Sequence, residues 1–451
     1  MSAGLAAAVL DVVRAAAPDA EAEVRVGAST MALTRFANSF VHQNVADTAT
    51  RTRLRLHVDG RTATGSTTGS DTDSLARMVA TTVAAARVLP VDPMWPGLTP
   101  PSPLVAGGHW DPATADAPPA ARAAVVRDFV DAASPLETAG FCRTNGEEVA
   151  YANTAGQYVT GGYTSAAADG IARADAGPAG LRADGVARRA ARSVADLDGY
   201  ALGSAAAAKA RAGADPLELP PGRYEVVLEP GAVADVLTLL GMYGFNGRAV
   251  NERRSFLAPG TMQFDPALTL VDDATDPAAI GVGFDAEGTP KRPTPLVTAG
   301  RAGNPVHDRR TAREAGTEST GHAIPGGERF GAMPENLFLR PGAGGSVAAL
   351  VEGVARGLLV TDLWYTRVLD PKTLVVTGLT RNGVWLIEEG QVRRAVRNLR
   401  FTQSYAEALA PGAVLGVGSE AVSVPVTWDL GAISTPPVRL ASWHFTGGAS
   451  G

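Results

Sequence analysis

The sequence of 451 residues holds a single cysteine, Cys142. One thiol excludes an internal disulfide framework and any cysteine-built metal site, and it fits a reducing compartment. Histidine is nearly as scarce. His42, His57, His109, His307, His322 and His444 include no pair three to five residues apart, the spacing that sets two imidazoles on one helix face around a metal. Apolar runs stay short of the roughly eighteen residues that a membrane-spanning helix needs. Positive charge is not in excess. Lys and Arg number 40 against 46 Asp and Glu, a net charge of −6, which speaks against a nucleic-acid surface as the main business of the chain. The opening apolar run, residues 5–10, is interrupted by Asp11 and Arg14 and follows no cationic segment. It reads as an amphipathic first helix rather than a signal peptide, and the expected location is the cytoplasm.

What is present is globular: 45% hydrophobic and 19% charged residues, in a chain long enough for two or three domains. The wealth of alanine, and of arginine over lysine, reads as the codon bias of a high-GC bacterium. After the first helix, residues 21–27, 31–36 and 51–58 are rich in β-formers, and Asp59-Gly60 turns the chain into a return strand at 61–67. Asp71 offers an N-cap for a helix to about Val88, with Leu75, Met78, Val79, Val83 and Ala86 on one side. Residues 90–119 hold nine prolines and must be loop; Trp95 and Trp110 within it are expected to pin it to the body. A helix at 119–133 follows. Asn145-Gly146, between residues 138–144 and 148–153, predicts a hairpin. Strands are expected at 157–164 and 171–175, and a helix at 197–212.

Asp215-Pro216 and Pro220-Pro221-Gly222 divide the chain into a domain of residues 1–215 and a second of 216–451. The second reads as mainly β. Candidate strands are 224–228, 268–272, 296–299, 336–340, 358–367, 373–379, 384–388 and 391–396, with tight turns at 381–383 and 388–390, and Ser346 caps a helix through Ala355. Strands and helices are segregated, so the expected fold class is α+β, with an N-terminal antiparallel sheet carrying helices and a β-rich C-terminal domain.

The most telling stretch is residues 224–256. A short strand meets Pro230-Gly231 and then an apolar helix that runs into Gly244 and Gly247. This layout resembles the zinc-site segment of the TldD/PmbA family of metallopeptidases. Other segments carry the same resemblance: Ala32 through Asn44, Gly283-Phe284-Asp285-Ala286-Glu287-Gly288, Glu318-Ser319-Thr320-Gly321-His322, Asn336 through Gly342, Gly383 through Gln391, and Asn398 through Tyr405. Catalytic members carry His-Glu-x-x-x-His on this helix, and here those positions hold Thr238, Leu239 and Tyr243. A peptidase zinc takes about three protein ligands and a water, whose pKa it lowers from about 15.7 to about 7. Neither the ligands nor the carboxylate base stands at these positions. The resemblance is therefore to the TldE (PmbA) branch, whose members pair with a zinc-holding TldD-like chain to trim short, unfolded or modified peptides. It implies a non-catalytic subunit with no cofactor of its own, zinc in the partner, a peptide substrate, and a homodimer as a possible state in isolation.

Other residues invite chemistry and have plainer readings. Asp285 and Glu287 could be an acid/base pair, or a hairpin loop in which Asp bonds backbone amides and Gly288 supplies a positive φ. His307, Asp308, Ser319 and His322 lack a nucleophile-elbow frame and read as loop hydrogen bonding. Arg309, with Arg310 and Arg313, reads as a solvated basic face. The family resemblance implies a peptide channel bordered by Phe284, Asp285, Glu287, His307, Arg309 and His322. Cys142 reads as a small buried residue. Two rival functions stay open: a stand-alone amide-bond hydrolase in specialised-metabolite processing, and a homodimeric peptide-binding protein.

Overall fold

The computed structural model describes residues 2–105, 108–175, 182–426 and 431–448. Its N-terminal sheet is antiparallel, in the order β3-β2-β1-β4-β5-β6. The strands are β1 (Glu21–Ala37), β2 (Phe40–Val58), β3 (Arg61–Thr67), β4 (Glu137–Asn153), β5 (Tyr158–Asp175) and β6 (Arg182–Ala191). Helices α1 (Ser2–Ala16), α2 (Thr72–Val88), α3 (Pro112–Ala115), α4 (Pro119–Ala133) and α5 (Gly199–Ala212) accompany it. The helical faces follow the hydrophobic spacing. Ala6, Val9, Leu10 and Val13 of α1 and Leu75, Met78, Val79 and Val83 of α2 pack on Val24, Val26, Leu54 and Leu56. Asp71 caps α2 by accepting the Ser74 N–H at 2.9 Å.

The expected hairpin at Asn145-Gly146 is not there. Both residues lie inside β4, where Asn145 pairs with Met31 on one side and Ser165 on the other. Gly146 serves close approach instead: a Cβ there would stand 3.2 Å from both Trp110 and Ala115. The tryptophan of the proline-rich loop thus needs a glycine below it. Trp95 anchors the same loop by stacking on His57 at 4.8 Å and donating its indole N–H to Glu21 at 2.6 Å. The strands expected at 157–164 and 171–175 are one strand, β5, and the polar β6 was not legible as a strand.

The rest of the chain forms two sheets. Its elements are β7 (Gly222–Leu228), α6 (Pro230–Leu239), α7 (Gly247–Asn251), β8 (Leu270–Asp272), β9 (Thr294–Thr298), β10 (Arg301–Ala302), α8 (Arg309–Ala315), β11 (Leu337–Leu339), α9 (Val347–Glu352), β12 (Arg356–Asp370), β13 (Val375–Glu388), β14 (Gln391–Ala395), β15 (Leu399–Ser404), α10 (Tyr405–Ala408), β16 (Val414–Val417), β17 (Val422–Pro425), β18 (Ala432–Thr435) and β19 (Val438–Gly448). One sheet runs β10-β9-β8-β11-β18-β17. The other runs β12-β7-β19-β15-β13-β14, and β12 also pairs with β13, so five strands close on themselves. Val226, Leu228, Val360, Val376, Phe401, Trp443 and Phe445 fill the core there. The fold class is α+β, as the segregated pattern predicts. No helix among the described residues is long and apolar enough to cross a membrane.

The turn expected at 381–383 is a bulge inside β13. Asn382 and Gly383 adopt φ of 59° and 133° where the β12–β13 register shifts. Glu389 and Gly390, at φ of 51° and 71°, do make the hairpin to β14.

Candidate functional site

Strand β7 is buried between β12 and β19 and delivers the chain to α6, with Pro230 at its first turn. Ala232, Val233, Val236 and Leu237 bury one side of α6. The helix then widens into a π turn over Leu240–Gly244, where the Phe245 N–H bonds the Leu240 carbonyl at 3.2 Å. That widening matters to positions 238 and 243. In a regular α-helix, residues five apart stand about 140° from each other around the axis. A turn closed by i→i+5 bonds brings them round to one face, and Thr238, Leu239 and Tyr243 all line one cleft.

The backbone thus keeps the spacing of a metal-binding helix while the side chains do not fit a zinc. The Thr238 hydroxyl donates to the Ala234 carbonyl at 2.7 Å. Leu239 has no donor atom, and a phenol at 243 leaves one weak ligand where about three are needed. Among the described residues no group of three or more His, Cys, Asp or Glu could hold a metal ion.

The cleft measures about 340 Å³. Its second wall is β12, its rim Val424, Pro425 and Val426. Between Trp364 and Arg367 the register of β12 on β13 slips by one residue, and Tyr365 takes a φ of 55°. A left-handed backbone costs a bulky residue on the order of 1–3 kcal/mol and gathers at functional positions. Here it turns two aromatic side chains outward: Trp364 is 45% exposed and Tyr365 65%. Arg381 lies over the Trp364 ring and Arg367 over the Tyr365 ring, each at 4.5 Å.

Carboxylates form the floor. Asp235 accepts the Thr366 hydroxyl at 2.9 Å and the Tyr405 hydroxyl at 3.1 Å. Burial, helped by Asp362, pushes its pKa up to about 7; burial and Asp235 in turn push the Tyr405 phenol well up. Asp362 is gripped at both oxygens by Arg188 of β6, at 2.9 and 2.8 Å, and receives the Asn382 amide at 3.0 Å. The bulge in β13 therefore presents Asn382 to Asp362. Arg188 also reaches Asp169 at 3.2 Å. Sequence reasoning missed Asp235, Asp362, Trp364, Tyr365 and Arg188. A signal did exist for the first: a lone carboxyl inside the apolar run Ala232-Val233-Ala234-Asp235-Val236-Leu237.

None of the six residues assigned by resemblance to a peptide channel lines this cleft. Phe284 packs on Val149, Tyr151 and Val159 of the N-terminal sheet. Asp285 accepts the backbone N–H groups of Glu287, Thr289 and Ala323 at 2.9, 2.9 and 3.0 Å, and Gly288 has φ 70°, the loop geometry read from the residues alone. Burial and Glu287 push the Asp285 pKa up against the pull of those amides. Glu287, 4% exposed, takes Arg55 at 2.7 Å and the Arg309 N–H at 2.9 Å. Arg55 also holds Glu23 at 2.6 Å, and Tyr151 donates to Glu23 at 2.8 Å. The Arg309 guanidinium bonds the carbonyls of Gly97 and Pro96 at 3.3 and 3.2 Å; it is bound into the proline-rich loop rather than forming a solvated face. His307 Nδ1 stands 3.2 Å from the Thr311 hydroxyl, and His322 Nε2 3.1 Å from Asp272. Together they make a paired, buried seam between the N-terminal sheet and the C-terminal sheets. Cys142 is buried in the N-terminal core, and burial raises its thiol to about 12.

A family model for the PmbA/TldA metallopeptidase C-terminal domain matches residues 221–447. No curated protein sequence matches the chain significantly. Solved structures similar to it include TldE from Thermococcus kodakarensis (TM-score 0.87, 19% identity, covering 98% of this chain and 100% of that one); a putative modulator of a DNA gyrase from Thermotoga maritima (0.82, 18%, 97% and 99%); and a putative modulator of DNA gyrase from Bacteroides thetaiotaomicron (0.83, 18%, 98% and 98%). At those identities the likeness is one of fold. With the family model spanning just over half of its residues, the chain belongs to the TldD/PmbA family.

Proposed function

We propose that this chain is a non-catalytic, TldE-like subunit that binds peptide for a zinc-holding TldD-like partner in the cytoplasm. The observation that carries the reading is the cleft over α6. Its π turn keeps the metal-site spacing, yet Thr238, Leu239 and Tyr243 supply no ligand set and no base, while aromatic side chains have been turned into the space. A wall of that kind favours binding over hydrolysis.

Extended peptide is the natural occupant. Strand β7 pairs with β12 only along residues 357–360, so the outer edge of residues 363–370 has no partner strand among the described residues. Strand β17, on the rim, ends its own sheet. Free strand edges read main chain irrespective of sequence. Holding an extended peptide beside the partner's zinc raises its rate through positioning alone.

The test mixes the purified chain with a TldD-like chain that keeps His-Glu-x-x-x-His. The expected result is a complex on size-exclusion chromatography and faster cleavage of an unfolded peptide than by the partner alone. Absence of both sinks the reading. Unaided hydrolysis by this chain, silenced by chelation, would establish the stand-alone hydrolase instead.

A further inference from the structure

We propose that the cleft is a recognition site for a primary ammonium group, seated at Asp235, with the adjoining apolar part of the ligand laid against Trp364 and Tyr365. The inference rests on the reading that the cleft receives peptide, and it names what the cleft selects. A peptide amino terminus and a lysine side chain share this chemistry.

The charges facing Asp235 are uneven. Three carboxylates, Asp169 of β5, Asp235 of α6 and Asp362 of β12, gather around Arg188 of β6, the one guanidinium that serves them. Arg188 spends itself on Asp362 at both oxygens and on Asp169. Arg367 stacks on Tyr365 and donates to the Thr366 carbonyl at 2.8 Å. Arg381 stacks on Trp364. Asp235 is left with two hydroxyl donors, from Thr366 and from Tyr405 of α10, and no cation. A carboxylate drawn out of water calls for a counter-charge or a proton. Each of its oxygens has taken one donor and keeps an acceptor site free.

The geometry narrows the cation. A metal would need ligands that the described residues do not gather. A tetrahedral ammonium needs only one free acceptor direction and is drawn to aromatic faces. Trp364 and Tyr365, each with an arginine over one face, line the same cleft and leave surface for the ligand's apolar part. The cleft continues past Arg188, Gly231 and Asp362 into a second cavity of about 280 Å³. The Thr361 hydroxyl lines that cavity, buried and without a hydrogen-bond partner, so the ligand's main chain has a polar contact waiting further on.

Calorimetry on the isolated chain tests this with Phe-Ala-Ala-amide, its N-acetylated form, and acetyl-Phe-Ala-Lys-amide. At least one ammonium-bearing probe is expected to bind about tenfold or more tighter than the fully blocked one, the scale of a charge-assisted hydrogen bond. Asp235→Asn should erase that difference, and Trp364→Ala should weaken all three alike. Affinity for the ammonium probe should rise as pH passes upward through about 7 and Asp235 ionises. It should fall again above about 8 for an amino terminus, but persist to about 10 for lysine, which names the source. Equal binding of blocked and free probes, no binding of any probe at millimolar concentration, or a preference surviving in Asp235→Asn overturns the proposal. If that variant does not fold, a wild-type affinity for the ammonium probes that is flat between about pH 6 and pH 7.5 overturns it. No partner chain is present in these measurements, so their failure leaves the complex-formation experiment standing.

Discussion

Two regions of this molecule concentrate charge, and they treat it in opposite ways. In the seam between the N-terminal and C-terminal sheets, Arg55 is shared by Glu23 and Glu287, and Glu287 also takes the Arg309 amide. Asp285 there has no cation but accepts three backbone amides. Over α6, one carboxylate lacks a cation, a tyrosine sits in a left-handed backbone, and two aromatic rings face solvent. Uncompensated charge together with stored strain gathers at functional positions more often than compensated charge does. The seam attracts attention in the sequence because its residues are chemically loud; the cleft is quieter.

The largest effect should come from breaking the seam. Arg55→Ala leaves Glu23 and Glu287 buried and facing each other, and is expected to cost about 3–5 kcal/mol in urea unfolding. A loss below about 1 kcal/mol would reduce the seam to the rank of a surface ion pair. Next comes the junction where the two regions touch. A Cβ on Gly247 would lie 2.3 Å from His307 Nδ1 and 2.6 Å from the Val306 carbonyl, so Gly247→Ala should cost about 1–3 kcal/mol through overpacking. A neutral result would mean that the two regions move independently.

The pH dependence sharpens the contrast further. Asp235 has a folded pKa of about 7, raised above its ordinary value near 3.8, so the folded chain holds a proton that the unfolded chain has released between those values. Its contribution to stability is therefore complete below about pH 4, is lost as pH rises toward 7, and is level beyond. Urea titrations of wild type and Asp235→Asn should differ in slope across that window, and identical slopes would remove the case for an uncompensated carboxyl. The smallest stability change is expected for Trp364→Ala and Tyr365→Gly, within about 0.5 kcal/mol or slightly stabilising for the glycine. Peptide binding measured by calorimetry should nonetheless fall in both. A large loss of stability with binding intact would make these rings core residues.

Much of the fold was legible. The apolar spacing of α2 and α4, the cap at Asp71 and the β-rich segments all appear where side-chain periodicity places them. The misreadings share one cause. Asn145-Gly146 and Arg381-Asn382-Gly383 have turn composition, but glycine answers two needs, a positive φ and a close approach. At Gly146 the need is room for Trp110, and at Gly383 it is a bulge whose Cβ would strike Trp385 at 2.1 Å. Trp110 is far from Gly146 in the chain, and Trp385, though close to Gly383, meets it only because of the bulge. The candidate site divides the same way. Positions 238, 239 and 243 could be located from the strand-turn-helix pattern, whereas their shared cleft depends on a π turn that local composition does not announce.

The side chains at Thr238, Leu239 and Tyr243 were determined by sequence alone, because a ligand atom is either present in a residue or absent from it. Which charges are paired was decided only by the tertiary structure. Arg188 and Asp362 are 174 residues apart, as Asp235 and Tyr405 are 170 apart, and ion pairing acts over a few ångströms of space rather than along the chain. The sheets had to assemble before one carboxylate could be left without a cation.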